Sequence, residues 1–185
     1  MKNTLFTILL LISLSAFSQK KEKETIIYGD QLTEEEIYDI QTDGWMILKY
    51  KEQDLLMNFS NEDYLLWFKI NCKQSETEPS FLIEFTNNYR DGNRGGIDFA
   101  SSKKDNYKKI VFLIDGKSFE NPFKNYDENH FIAFKNFLKE AKTLSIEFYD
   151  NEFNIETEKD ELVLNRVIDF KLKNSELLDV LTDCE

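Results

Sequence analysis

The feature that most constrains the fold of this 185-residue chain is a succession of short apolar segments with β-strand character, separated by polar turns. Segments of this length that are rich in aromatic and β-branched residues are typical of β-sheets. The predicted strands cover residues 45–50, 55–59, 64–72, 80–85, 97–100, 109–115, 143–149, 152–156 and 161–172. Sixteen Phe, eight Tyr and only two Pro indicate a packed sheet protein, because such a composition supplies the core that a disordered chain lacks.

Three helices are predicted beside these strands. Thr33 and Glu36 have the spacing of a capping box, which begins a short N-terminal helix before Gly44. Asp127 is a favourable N-cap residue for a longer, amphipathic helix. The apolar face of that helix comprises Phe131, Phe134, Phe137, Leu138 and Ala141. A short C-terminal helix over residues 175–182 is predicted to bury Leu177, Leu178 and Leu181.

These elements predict a mainly β fold at the border with the α+β class. The expected architecture is a single-domain antiparallel β-sandwich with one amphipathic helix and short N- and C-terminal helices. The sequence contains no internal repeat and no low-complexity linker, so residues 25–185 are predicted to form one domain. A chain of this length can bury a core without further support.

The first eighteen residues have the pattern of a secretory signal peptide. Lys2 provides a positive charge, and residues 5–17 form an apolar run that is too short to span a bilayer. Small residues occupy the −3 and −1 positions of a cleavage site between Ser18 and Gln19. Because no cysteine lies near this site, a lipoprotein anchor is not expected. Cleavage leaves a charged leader over residues 19–24, and we expect a periplasmic or secreted protein.

The two cysteines, Cys72 and Cys184, are predicted to form one disulfide, since an exported protein folds where such bonds persist. In the chain-entropy model a loop of this length stabilises the fold by about 4–5 kcal/mol. The alternative is a pair of free or redox-active thiols. That alternative lacks the closely spaced cysteine pair that redox enzymes use.

The formal net charge is −12, and it becomes −13 without residues 1–18, which carry one Lys and no acid. A polyanion of this kind is repelled by nucleic acid and by anionic lipid, so neither is an expected partner. The charge either keeps an exported domain soluble or complements a basic protein. No second apolar run has the length of a transmembrane helix, so no integral membrane span is predicted.

Residues 91–98 form the segment that most resembles a binding site. Asp91, Asn93 and Asp98 place oxygen atoms near glycines, which is a pattern that Ca²⁺ loops use. However, Ser102 stands where an EF-hand loop requires a bidentate Glu. The alternative is an ordinary connecting loop in which the glycines adopt positive φ.

The other candidate residues give no catalytic pattern. His130 is the only histidine, and no nucleophile elbow accompanies it. Trp45 and Trp67 are expected in the core, as most aromatic residues of sheets are. Phe123 and Tyr126 are the better candidates for surface ligand contacts, because they lie in the loop before the long helix. No metal other than the candidate Ca²⁺ and no cofactor is predicted.

Five segments occur in an order that characterises one group of exported proteins. They are the strand 68–72 that ends in cysteine, the strand 81–85, the strand end 114–116, residues 141–147 after the long helix, and residues 168–172 before the final helix. In this order the chain resembles the VasI-type accessory protein of type VI secretion and the invasion-associated locus B group. The resemblance implies a two-layer sandwich with a disulfide and a binding or accessory role, without catalytic residues.

The sequence therefore predicts an exported, non-catalytic binding or accessory module of the bacterial cell envelope, whose partner is a protein or an envelope component. Two alternatives stay open. The first is an acidic immunity or inhibitor protein that complements a basic toxin or hydrolase. The second is a carboxylate-based hydrolase, which requires two acids in one concave pocket.

Overall fold

The computed structural model describes residues 25–51, 53–73, 78–90, 92–101 and 109–183, and the predicted signal peptide and charged leader lie outside these ranges. The elements in chain order are β1 (Ile26–Tyr28), a 3-10 helix (Gly29–Gln31), α1 (Glu34–Tyr38), β2 (Trp45–Tyr50), β3 (Gln53–Asn58), β4 (Tyr64–Lys69), β5 (Ser80–Phe85), β6 (Tyr89–Arg90), β7 (Asn93–Arg94), β8 (Ile97–Ala100), β9 (Lys109–Ile114), β10 (Lys117–Glu120), α2 (Glu128–Glu140), β11 (Thr143–Asn154), β12 (Lys159–Lys171) and a second 3-10 helix (Ser175–Asp179). The predicted mainly β fold is confirmed.

The strands form two principal sheets. The larger sheet has the order β1-β2-β3-β4-β5-β8, and the smaller sheet has the order β10-β9-β11-β12. Their neighbouring strands are antiparallel except for β1, which runs parallel to β2. Strands β6 and β7 pair as a separate ribbon. No helix in the described part of the chain has the length and apolarity that a membrane crossing requires.

The main core lies between the two sheets. Alternation along each strand turns Leu66 and Phe68 of β4 toward Phe112 of β9 and Phe148 of β11, and all four are buried in one cluster. The rings of Phe81 and Phe112 meet edge to face across the interface, with their centroids 5.4 Å apart. The two sheets are therefore the layers of the predicted sandwich.

Helix α2 closes one side of the sandwich. The Asp127 carboxylate accepts a hydrogen bond from a backbone N–H of the first turn, which confirms the predicted N-cap. The ring of Phe134 lies 6.3 Å from Phe68 of the larger sheet and 5.2 Å from Phe112 of the smaller sheet. One face of the helix thus packs against both sheets. Phe137 was expected on that face, but it is 54% exposed, so this part of the prediction is wrong.

After β12 the chain runs beside the beginning of β2. Gly44 forms a parallel bridge with Lys173, and the Trp45 N–H donates to the Lys173 carbonyl at 2.9 Å. A Cβ atom at position 44 would lie 2.2 Å from that carbonyl oxygen, so glycine alone permits this approach. The contact ties the end of the smaller sheet to the start of the larger one.

Several details differ from the sequence-based expectation. Strands β1, β6, β7 and β10 were not predicted, and β10 was missed because Phe119 is its only apolar residue. Residues 143–149 and 152–156 were predicted as two segments, whereas Thr143–Asn154 is one strand. Leu181 is 59% exposed, because the final helix ends at Asp179 and does not turn this side chain inward.

The outer face of the larger sheet is covered by residues 25–44, which we call the cover segment. Its helix α1 begins at Thr33, whose hydroxyl accepts from the Glu36 N–H at 3.3 Å, while the Thr33 N–H donates to the Glu36 carboxylate at 2.8 Å. The predicted capping box is therefore confirmed. A second buried cluster lies beneath the cover segment and comprises Met46, Leu48, Leu55, Met57, Phe59 and Leu65.

Candidate functional site

A pocket of about 520 Å³ lies between α1 and the outer face of the larger sheet. Its apolar walls are formed by Leu32, Ile37, Leu48, Leu55, Leu65 and Trp67. Its polar lining residues are Glu34, Tyr38, Gln53, Lys69 and Glu84. A largely apolar concavity with a few convergent polar groups is the usual form of a small-ligand site.

Glu84 lies in the wall of this pocket because of the alternation along β5. Ile83 points into the main core, so the next residue points to the opposite face, and Glu84 is paired in register with Leu65 of β4. The Tyr38 hydroxyl donates to the Glu84 carboxylate at 3.5 Å. The buried Trp67 indole N–H is directed at the same carboxylate without completing a hydrogen bond.

Burial governs the acid–base properties of this pair. It raises the pKa of Glu84, and the two neighbouring donors only partly oppose that effect. Burial and the adjacent carboxylate raise the pKa of Tyr38 to about 12, so the phenol keeps its proton. Among the described residues, no Lys, Arg or His lies within ion-pair distance of Glu84. The site is thus a half-buried carboxylate served by neutral donors.

Arg94 of β7 holds the cover segment in place. Its guanidinium pairs with Asp39, which follows α1, and donates to the Tyr38 carbonyl at 3.4 Å and to the Thr86 carbonyl at 2.5 Å. Gly95 allows the Tyr38 ring to approach, because a Cβ atom there would lie 2.3 Å from the phenol oxygen. The β6–β7 ribbon therefore fixes the position of Tyr38 over the pocket.

In the segment predicted as a Ca²⁺ loop, the described residues take part in contacts of the fold. Asp98 of β8 pairs with Arg166 of β12, which joins the edges of the two sheets. Asn93 lies in the β6–β7 ribbon, and Asp91 lies outside the described residues. Within the described ranges, no three His, Cys, Asp or Glu side chains lie close enough to hold a metal ion. Calcium binding stays a prediction.

The two aromatic candidates for surface contacts have different environments. Phe123 is 7% exposed and its ring lies 4.9 Å from Phe81 in the core, so the prediction that it lies at the surface is wrong. The Asn121 side chain accepts from the Phe123 N–H at 3.0 Å and turns the loop inward. Tyr126 is exposed, as predicted. The His130 ring stacks on Phe119 beside the helix N-terminus.

A second concavity, of about 620 Å³, lies on the smaller sheet. Lys109, Ser118, Glu120 and Asn151 are among its lining residues, and all four are exposed or partly exposed. It contains no buried charged group. We therefore regard the pocket around Glu84 as the better candidate site.

The predicted disulfide is compatible with the backbone around Cys72. This residue forms a bridge with Thr182, whose N–H donates to the Asn71 carbonyl at 3.0 Å. The Lys73 N–H in turn donates to the Thr182 carbonyl at 2.9 Å. Cys184 lies two residues further on, outside the described residues. The disulfide stays a prediction.

The sequence analysis missed Glu84 and Tyr38. One signal was available, because Glu84 is the only polar residue of the segment 81–85 within the predicted strand 80–85. A carboxylate in such a strand requires either solvent or a dedicated partner. Its partner Tyr38 is 46 positions away in the chain, and no local pattern connects the two.

Comparison with known proteins gives one match. No curated protein and no solved structure matches the chain. The sequence model of the family described as YfjT matches residues 56–175. The matched range contains the pocket wall with Leu65, Trp67 and Glu84, and it excludes the cover segment with Tyr38. Because the matched range makes up more than half of the sequence, this chain belongs to the YfjT family.

Proposed function

We propose that this protein is an exported, non-catalytic binding module of the bacterial cell envelope that takes a small, mainly apolar ligand under its cover segment. The pattern of residues 1–18 supports export. The observation that carries the proposal is the pocket itself, with apolar walls and one half-buried carboxylate.

The geometry supports binding because the side chains of the described residues leave space between α1 and the larger sheet. Leu48, Leu55 and Leu65 are buried in the cluster beneath the cover segment, yet a space of about 520 Å³ remains between them and α1. Apolar walls of this kind favour ligand binding by removing apolar ligand surface from water, at roughly 25 cal/mol per Å². The polar groups then orient the ligand.

The proposal is tested with N-phenyl-1-naphthylamine, a neutral probe that fluoresces in apolar sites. Gln53 is an exposed lining residue, so Gln53→Phe narrows the pocket without disturbing the core. Asn151→Phe is the matched control, since Asn151 is exposed and lines the second concavity. We expect the wild type and Asn151→Phe to bind the probe and Gln53→Phe to bind it about tenfold more weakly, which corresponds to about 1.4 kcal/mol.

If only Asn151→Phe weakens binding, the second concavity is the ligand site and the proposal fails. Absence of saturable binding to the wild type also contradicts it. Both variants are first compared with the wild type by thermal unfolding, so that a loss of fold is not mistaken for a loss of binding.

A carboxylate-based hydrolase is a second candidate because two acids, Glu34 and Glu84, line the same pocket. The raised pKa of Glu84 is the property that a general acid requires. Turnover of a chromogenic glycoside or ester that is lost in both Glu34→Gln and Glu84→Gln would favour this candidate. Turnover that survives in either variant would reject it.

An acidic inhibitor of a basic protein is a third candidate, and it involves a different surface. The formal charge of −12 favours a basic partner, and the outer face of the smaller sheet exposes Leu162, Leu164 and Val167. Electrostatic steering predicts association that weakens steeply with added salt. Binding of a basic protein that is insensitive to salt would contradict this candidate.

A further inference from the structure

We propose that the pocket selects ligands with a protonated amine attached to an apolar body, with the amine at Glu84. This inference rests on the proposed function and names the ligand class of the same site. It depends on three features of the pocket: the partners of Glu84, the aromatic walls beside it, and the position of Lys69.

The first feature is that Glu84 has no cationic partner among the residues that the structure describes. Its protein donors are the Tyr38 hydroxyl, at the long distance of 3.5 Å, and the Trp67 indole, which does not complete its hydrogen bond. A half-buried carboxylate with only weak neutral donors is poorly compensated for its loss of water. A ligand ammonium would supply charge-assisted hydrogen bonds at this point, which are about twice as strong as neutral ones.

The second feature is the aromatic lining on both sides of the carboxylate. Tyr38 approaches it from the cover segment and Trp67 from β4. Aromatic rings attract cations through their quadrupole, and indole does so most strongly. The Tyr38 ring already takes part in such a contact, because the Arg94 guanidinium lies 5.9 Å from its centroid. The negative charge of Glu84 repels a ligand carboxylate at the same point.

The third feature is the placement of Lys69, the basic side chain of the lining. Glu84 is in register with Leu65, whereas Lys69 is in register with Ser80. Leu65 and Lys69 are four residues apart on β4, so their backbones are separated by roughly 13 Å. Trp67 lies between them. The backbone of Lys69 thus lies two strand positions beyond Trp67, and the amine end of a ligand at Glu84 is directed away from it.

The test compares three ligands that share one apolar chain: octylamine, octanol and octanoate. Binding is followed by the fluorescence of Trp67, with Trp67→Phe as the control for signal from the fully buried Trp45. We expect the wild type to bind octylamine about tenfold more tightly than octanol, and octanoate most weakly. Glu84→Gln should abolish the preference, so that octylamine and octanol bind it equally. Glu120→Gln, which makes the same change at an exposed carboxylate of the second concavity, is the matched control and should keep the preference.

Two outcomes overturn the inference. The first is that octanoate binds the wild type as tightly as octylamine does. The second is that octylamine binds Glu84→Gln as tightly as it binds the wild type. Either result means that Glu84 does not select the amine. In both cases the wild type still binds octanol, and the proposed function, which requires only that an apolar ligand binds, is not contradicted. If none of the three ligands and no naphthylamine probe binds, the proposed function itself fails.

Discussion

The outer faces of the two sheets differ in how they meet solvent. On the larger sheet, Leu48, Met57 and Leu65 are buried beneath the cover segment. On the smaller sheet, Leu162, Leu164 and Val167 occupy the corresponding outward positions and remain exposed. Both faces carry apolar side chains at alternating positions along their strands, so this alternation alone does not determine which face is buried. The cover segment makes the difference, and it also creates the pocket.

The largest expected effect comes from truncating matched leucines on the two faces. Leu65 is 1% exposed and Leu164 is 47% exposed, and both lie in strands. Leu65→Ala should lower the free energy of unfolding by about 2–5 kcal/mol, because it leaves a cavity in a packed cluster. Leu164→Ala should change it by less than about 0.5 kcal/mol. Urea denaturation followed by circular dichroism measures both, and equal losses would contradict the contrast between the faces.

The next effect concerns the attachment of the cover segment. Arg94→Ala removes the hydrogen bonds to Tyr38 and Thr86 and the ion pair with Asp39, at a cost of about 1–3 kcal/mol. We expect the loss to be local. Hydrogen exchange should accelerate at the amides of Ile37 and Asp39, which donate within α1, and should remain slow in β11.

Two further variants test whether the geometry of Arg94 matters. Arg94→Lys keeps the charge but not the planar fork, so it should restore little protection in α1. Arg166→Ala removes the ion pair with Asp98 of β8, a contact that involves no residue of the cover segment, and should leave α1 protected. If both alanine variants expose α1 equally, the cover segment opens with the whole fold and Arg94 has no special role.

The covered and uncovered faces also differ in what the sequence could predict. Helix α2 follows from Asp127 and the 3.6-residue spacing of Phe131, Phe134 and Leu138, because these are local signals. The capping box at Thr33 is equally local. The pocket has no local signal in the sequence, because it depends on which distant segment lies over the larger sheet.

The errors at single aromatic residues have the same origin. Phe123 follows Asn121 and Pro122, a sequence that is typical of surface turns, yet the loop folds back and buries the ring among five other Phe rings. Phe137 has helical spacing with the buried face, but it lies at the margin of that face. Periodicity identifies a face and does not show how far a neighbouring element covers it.

Two carboxylates, Glu84 of β5 and Asp115 directly after β9, should affect the pH dependence of stability in opposite directions. Burial raises the pKa of Glu84 above the ordinary value of 4.5, so the folded state favours the protonated form and loses stability as the pH rises through that pKa. Backbone N–H groups of Lys142 and Thr143 lower the pKa of Asp115 below 3.8, so its stabilising effect is present above that value and is lost as the pH falls.

These opposite signs are measured by melting temperature between about pH 3 and pH 8, a range that covers both ordinary carboxyl pKa values. Glu84→Gln should be more stable than the wild type near neutral pH, with a gain that shrinks toward about pH 4. Asp115→Asn should be less stable near neutral pH, with a loss that shrinks toward about pH 3. Asn tolerates the positive φ of position 115, so this variant tests the charge and not the turn. A gain for Glu84→Gln that is the same at every pH would contradict the assignment.

The smallest effect is expected when the uncovered face is made polar. The double variant Leu162→Ser and Leu164→Ser removes two apolar side chains that are about half exposed in the isolated chain. Its melting temperature should stay within about 2 °C of the wild type, because exposed substitutions rarely change stability by more than about 0.5 kcal/mol. The comparison is made at two protein concentrations, with sedimentation velocity as a second measurement. A destabilisation that grows with protein concentration would show that a second copy of the chain covers this face in solution. Both outer faces would then be covered, the larger sheet by the cover segment and the smaller sheet by another copy of the chain.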